Sequence, residues 1–150
     1  MEQLSIDEAF LEPEELVDAT PDHVRAWAND LRDAIKQETG LPSSIGAGSG
    51  KQYAKIGSGL AKPDGVFVIP HDEQLDILHP LPVSQLWGVG PVTEGKLAAA
   101  GIETIGDFAA LSEKEVDISL GGVVAKQLWT LARGIDDPVS YTHLRAHETR

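Results

Sequence analysis

Ser5-Ile6-Asp7-Glu8-Ala9-Phe10 sets two acids side by side between apolar residues near the start of the chain. The pattern predicts a short β-hairpin, with Gln3-Leu4-Ser5-Ile6 entering, Asp7-Glu8 at the turn and Ala9-Phe10-Leu11 leaving. Adjacent carboxylates at a strand end repel each other unless a cation neutralises them. Hard divalent ions such as Mg²⁺ favour such oxygen ligands, often combined with substrate phosphates. The same pair is also the ordinary make-up of a solvated acidic turn. Asp7 and Glu8 become candidate catalytic and metal-binding residues only in company with motifs further along the chain.

With 150 residues and 41% apolar side chains, the chain has room for one ordinary domain or two small ones. It has no cysteine, which excludes disulfides and thiolate metal sites. No apolar run is long enough to span a bilayer, so a soluble cytoplasmic protein without membrane contact is expected. The formal charge is −12, from 12 basic and 24 acidic residues. It divides into −6 for residues 1–69, −7 for 70–138 and +1 for 139–150. No segment is a basic arm, so any DNA contact must use few lysines together with backbone amides.

Beyond the hairpin, Thr20-Pro21 offers an N-cap and a first-turn proline, and Val24, Trp27, Leu31 and Ile35 share one helical face up to Gly40. Ser43-Ser44-Ile45-Gly46-Ala47-Gly48 reads as a strand of small residues, and a helix from Lys51 to about Leu60 comes next. The Gly48-Ser49-Gly50-Lys51 link looks like a phosphate-binding loop. Its spacing is too short, however, and Gln52 stands where Ser or Thr would hold magnesium, so an ATPase is excluded. Lys62-Pro63-Asp64-Gly65 is a turn before the strand Val66-Phe67-Val68-Ile69. Lys62 can reach a ligand phosphate there as a point charge, or be a solvated turn lysine. Strands alternating with helices predict an α+β or α/β layer.

From His71 the pattern becomes helical with short loops. Leu86-Trp87-Gly88-Val89-Gly90-Pro91 reads as helix, tight turn, helix, with Lys96 one turn further on. Glycines let the backbone approach a ligand, and the unpaired amides at the start of the second helix can grip an anion. A helix-hairpin-helix of this kind holds a nucleic-acid phosphate without many cations. Gly88, Val89, Gly90, Thr93 and Lys96 are the candidate DNA-binding residues, against the plainer reading of a hairpin that merely packs. Ser112-Glu113-Lys114-Glu115 is a capping box, and Leu120-Gly121-Gly122-Val123 reads as a second, degenerate hairpin. Trp87 and Trp129 are expected to be core anchors.

Residues 139–150 continue no earlier pattern and resemble the read-through translation of a sequencing adapter. They are expected to be a non-native tail outside the fold. His143 and His147 stand four apart, with no further ligand to complete a metal site.

Taken in order, Ser5-Ile6-Asp7-Glu8, Ala54-Lys55-Ile56, Ala61-Lys62-Pro63-Asp64-Gly65 and Leu86-Trp87-Gly88-Val89-Gly90-Pro91 resemble a Y-family DNA polymerase, of the bacterial polymerase IV type that copies past damaged bases. The resemblance implies an α+β fold. Residues 1–69 would be the C-terminal part of the palm, a β-sheet with packed helices, and residues 70–138 a small all-helical thumb with the helix-hairpin-helix. It implies that Asp7 and Glu8 bind the catalytic metal pair, two Mg²⁺ ions in the complete enzyme, and that Lys62 contacts the incoming dNTP. The Gly88-Val89-Gly90 turn would hold backbone phosphates of the primer-template DNA. The reaction implied is attack of a primer 3′-hydroxyl on the α-phosphate of a deoxynucleotide, releasing pyrophosphate.

The family's first metal-binding aspartate and its fingers are expected upstream of Met1. The little finger is expected downstream of Pro138, as is the route to a sliding clamp. The isolated chain is therefore expected to be inactive in primer extension, with a sheet that lacks one strand and exposes an edge. The alternative is a non-enzymatic helix-hairpin-helix DNA-binding module in which Asp7-Glu8 is a structural turn.

Overall fold

The computed structural model describes residues 2–3, 7–135 and 143–148, with only the backbone described at 2 and at 143–148. The chain divides into two compact units, Met1–His71 together with Val139–Arg150, and Asp72–Pro138.

In the first unit, β1 (Glu2–Gln3) pairs antiparallel with β2 (Glu8–Leu11), Gln3 opposite Ala9 and Glu2 opposite Phe10. This is the expected hairpin with its outgoing strand begun earlier. Glu8 is the first residue of β2, and Asp7 sits in the bend before it. Leu4, Ser5 and Ile6 lie outside the described residues. A 3-10 turn at Glu14–Leu16 buries Leu16, and α1 (Pro21–Thr39) comes after it. Thr20 accepts a hydrogen bond from the His23 amide at 3.2 Å, Pro21 occupies the first helical position, and Gly40 ends the helix at φ +72°. A left-handed residue in that place suits glycine. The apolar stripe of α1 packs against the sheet: Val24 and Ala28 are buried, and Trp27 and Leu31 close over them.

β3 (Ser43–Gly48) is buried along its whole length. It runs parallel to β4 (Gly65–Val68), with Ile45 opposite Val66, and α2 (Lys51–Ala61) makes the crossover. Small residues in β3 let α2 come into backbone contact with the strand. A Cβ built on Gly46 would lie 2.0 Å from the Ser58 nitrogen and 2.2 Å from the Ala54 oxygen. Arg32 of α1 ties this region together. It donates to the Ser43 carbonyl at 3.0 Å and pairs with Asp64 in the turn before β4.

The tail that its sequence sets apart from the fold supplies β5 (His143–Glu148). The strand lies antiparallel between β2 and β3 in the order β1-β2-β5-β3-β4, with Ala146 opposite both Ala9 and Ile45. The expected open edge is therefore covered. Unpaired N–H and C=O groups along β2 and β3 recruit an extended segment from elsewhere in the chain. Residues 139–142 and 149–150 lie outside the described residues, as do the side chains of His143 and His147.

The second unit is all-helical among the described residues: α3 (Gln74–Leu78), α4 (Pro91–Ala99), α5 (Ile105–Ala109), α6 (Glu113–Ser119) and α7 (Val123–Ala132). Leu78, Leu86, Leu97, Ile105, Phe108 and Val116 form its core. The capping box at Ser112 and Glu115 is present, and Thr104 with Asp107 makes a second at the start of α5. Ahead of the Gly88 turn stands only a 3-10 turn, Val83–Gln85, rather than a helix. Pro82, extended at φ −57° and ψ 142°, stands directly before that turn and interrupts any helix running in from Leu78. Trp129 is half-buried, donating to the Leu111 carbonyl at 3.0 Å, but Trp87 is 43% exposed and is not a core anchor. The whole is the expected α+β combination of a sheet layered with helices and a helical unit. No helix among the described residues is long and apolar enough to cross a membrane.

Candidate functional site

Chemistry-bearing side chains of the first unit gather where β2 begins and α2 passes the sheet. Asp7 and Glu8 are both half-buried there. The Lys55 ammonium, one turn into α2, lies 3.8 Å from a carboxylate oxygen of Glu8. Their side chains keep 24% and 17% of their exposure, so this ion pair is screened less than a surface one. Burial, and then the nearby charge of Lys62, hold the Lys55 ammonium below the usual lysine pKa. Lys62 itself caps the C-terminus of α2 and is exposed. Lys51, four residues before Lys55 on the same helical face, stands over the Phe10 ring at 5.6 Å from its centre. The fold thus pairs Glu8 with Lys55 and brings Lys62 close enough for its charge to act on Lys55.

The donor chemistry suits magnesium, because both acids offer hard oxygens at the start of a strand. In number the set is partial. Among the described residues no group of three or more His, Cys, Asp or Glu side chains is placed to hold a metal ion. Asp7 and Glu8 fit a share of a Mg²⁺ coordination shell, leaving the other ligands to groups outside it.

In the second unit, Gly88 turns the chain at φ +112°, a value that disfavours a side chain. Gly90, at φ −89° and ψ 179°, is the N-cap of α4 with no side-chain hydrogen bond, and Pro91 is the first helical residue. A Cβ on Gly90 would meet no atom within 4 Å, so its environment sets no steric requirement for glycine. α7 begins alike, with Gly121 at φ +68°, Gly122 at φ +91° and no capping side chain. One pocket of about 180 Å³ is lined by Gly88, Thr93 and Lys96 from the first turn and helix, and by Gly121, Val124 and Leu128 from the second. Three of the five candidate DNA-binding residues therefore meet at this pocket. Val89 and Gly90 stay in the turn outside its lining. Val124 of its lining is 63% exposed, and Val92 and Val123, each next in sequence to a lining residue, are more exposed still.

Residues 1–59 match the impB/mucB/samB family, and residues 71–102 match the helix-hairpin-helix motif of the same family. A DNA polymerase IV from Corynebacterium diphtheriae is 56% identical over 137 residues, 91% of this chain and 30% of that protein. Over these two stretches the chain is similar to the impB/mucB/samB family. The fold agrees with that likeness. A Y-family DNA polymerase chimera superposes with a TM-score of 0.80 at 28% identity, over 93% of this chain and 41% of that one. A crystal structure of DinB from Sulfolobus solfataricus superposes at 0.79 and 28%, over 92% and 41%. The resemblance drawn from the four motifs is borne out. The chain spans about a third of the length of the curated relatives it matches. Within the family, the hairpin match takes in Gly88 through Lys96, whereas Lys62 falls between the two matched stretches. Sequence reasoning gave no role to Lys51 or Lys55. Their signal was spacing: positions 51 and 55 share a helical face, and 62 lies two turns beyond 55.

Proposed function

We propose that the chain forms the C-terminal part of the palm and the thumb of a cytoplasmic translesion DNA polymerase. The observation that carries the reading is the pairing of Glu8 with Lys55, whose charge environment Lys62 shares, together with a glycine-turned helix start in a strongly acidic chain. Asp7 and Glu8 would hold magnesium, which when bound supplies neutralising charge for a deoxynucleoside triphosphate. Lys62, exposed at the end of α2, would take the triphosphate tail as a point charge. The turn at Gly88, Val89 and Gly90, the Thr93 amide and the Lys96 ammonium would hold a backbone phosphate of primer-template DNA. The primer 3′-hydroxyl oxygen would bond to the α-phosphorus as its proton passes to solvent, and the α–β phosphate bond would break to release pyrophosphate. With two carboxylates in the set, this chain by itself would extend a primer weakly or not at all.

Fluorescence anisotropy with a labelled primer-template tests the DNA-binding half of this reading. Gly90→Val should abolish binding while Asp7→Ala leaves it intact. The salt dependence should be shallow, since each neutralised phosphate adds about 0.9 to the log–log slope. Wild-type affinity in Gly90→Val would remove the hairpin from the interface. For the catalytic half, residues 1–138 are grafted into a full-length polymerase IV and primer extension is measured. Asp7→Ala and Glu8→Ala should each abolish extension, and Lys62→Ala should raise the KM for dNTP. Undiminished extension by Asp7→Ala would leave the non-enzymatic DNA-binding module as the better account.

A further inference from the structure

Glu8 presents an electrostatic problem that its role as a metal ligand does not solve. Its side chain is 83% withdrawn from solvent and sits directly after a second carboxylate, Asp7. Two such anions side by side destabilise the fold unless positive charge lies close by. Lys55 brings that charge from α2, with its ammonium 3.8 Å from the Glu8 carboxylate and its own side chain three-quarters buried. Lys62 is near enough for its charge to act on Lys55. The position of Lys55 is held by the framework, since α2 is locked to β3 by the backbone contact at Gly46.

We propose that Lys55 is the internal counter-ion of Glu8: it stabilises the carboxylate pair when no divalent cation is bound, and it competes with such a cation for Glu8. This inference rests on the reading of Asp7 and Glu8 as cation ligands. Lys55 is then a positioning residue whose effect is to lower the cation affinity of the site while keeping the metal-free fold intact. A fixed positive charge beside Glu8 repels a dication as strongly as it attracts the carboxylate, so the two effects have one origin.

The test uses the whole 150-residue chain, stripped with a chelator, and MnCl₂ as the probe. Calorimetric titration gives the Mn²⁺ affinity, and thermal denaturation in chelator gives the metal-free stability. Lys55→Met should lower the metal-free Tm by several degrees. It should tighten Mn²⁺ binding by about tenfold. Lys55→Arg, which keeps the charge, should restore both values. In the Lys55→Met/Glu8→Gln double variant the added loss of stability should vanish, because the carboxylate that Lys55 faces is gone. If Lys55→Met folds only in the presence of Mn²⁺, the proposal is supported in its strongest form. Unchanged or weaker Mn²⁺ binding in Lys55→Met, with uptake still dependent on Asp7 and Glu8, overturns the counter-ion and leaves the carboxylate reading standing. Uptake unaffected by Asp7→Asn and Glu8→Gln, or absent altogether, overturns both.

Discussion

The two units place their functional groups in opposite ways. In the first, Glu8, Lys55 and Lys62 come from a strand and a helix far apart in the chain, and the proposed site is made of their side chains. In the second, Gly88, Gly90 and Thr93 come from one local turn and the helix start after it, and in the proposed site the backbone itself is the binding group. A side-chain site of the first kind depends on strand register and helix placement, because a slip of one residue sends Glu8 to the other face of the sheet. A backbone site of the second kind depends on a few φ values and on the absence of Cβ atoms. Damage to packing should therefore destroy the first, and damage to local conformation the second.

The largest effect is expected where α2 meets β3. Gly46→Val must place its Cβ where the Ser58 nitrogen, the Ala54 oxygen and the Gly57 carbonyl carbon stand at 2.0, 2.2 and 2.4 Å. These are backbone atoms of a helix that cannot yield by a rotamer change. The first unit should lose more than about 3 kcal/mol, beyond the usual range for overpacking. Amide hydrogen exchange reads the outcome by segment. Protection in β3 and α2 should collapse while that of Leu97 and Leu128 persists. Equal loss in both units would show that they unfold as one, and the contrast between them would fail.

Next in size is a pair of glycine changes that separates folding from binding in the second unit. Gly88→Ala forces a side chain into φ +112°, which costs about 1–3 kcal/mol. Its Cβ also lies 3.4 Å from the Leu128 side chain. Gly90→Ala changes neither, having φ −89° and open space, and should cost under about 1 kcal/mol. Both should weaken DNA binding, but only Gly88→Ala should lower the denaturation midpoint appreciably. If Gly90→Ala binds DNA normally while Gly88→Ala does not, the turn acts by shaping α4 and not by touching a phosphate.

The second unit was the more legible in the sequence for the same reason. The Ser112–Glu115 box and the Gly121-Gly122 turn, like Gly40 in the first unit, are signals spread over a few residues, and each has the expected conformation. The Thr104–Asp107 box carries the same kind of signal and is legible in retrospect. What escaped is long-range. Nothing local in Lys55 announces Glu8, nothing in Arg32 announces Asp64, and nothing in His143–Glu148 announces a place between β2 and β3. Trp87 was misplaced because composition favours burial of tryptophan, and only the tertiary path decides which one is covered.

The smallest effects should come from the caps of the second unit, where pH sharpens the comparison. Backbone amides at Thr104 and then Glu103 hold the Asp107 carboxyl below its ordinary value of 3.8, and the Ser112 amide does the same for Glu115 below 4.5. A depressed carboxyl contributes stability in full above its unfolded value and loses it as pH falls through the lower folded value. The second unit should therefore weaken progressively below about pH 4.5. Lys126, raised by its hydrogen bond to Glu113 and the charge of Asp117, contributes in the opposite window. Its share is complete below pH 10.5 and is lost as pH rises beyond. Denaturation midpoints measured from about pH 2.5 to 6 should show the acid slope in the wild type and a flatter one in Asp107→Asn/Glu115→Gln. Ser112→Ala removes the hydroxyl but not the amide that holds Glu115. It should lower stability by about 1 kcal/mol and leave most of the slope in place, because the hydroxyl's own hold on Glu115 is weaker than the amide's. A slope abolished by Ser112→Ala would mean that the serine hydroxyl, and not the backbone of the helix start, sets the charge of the cap.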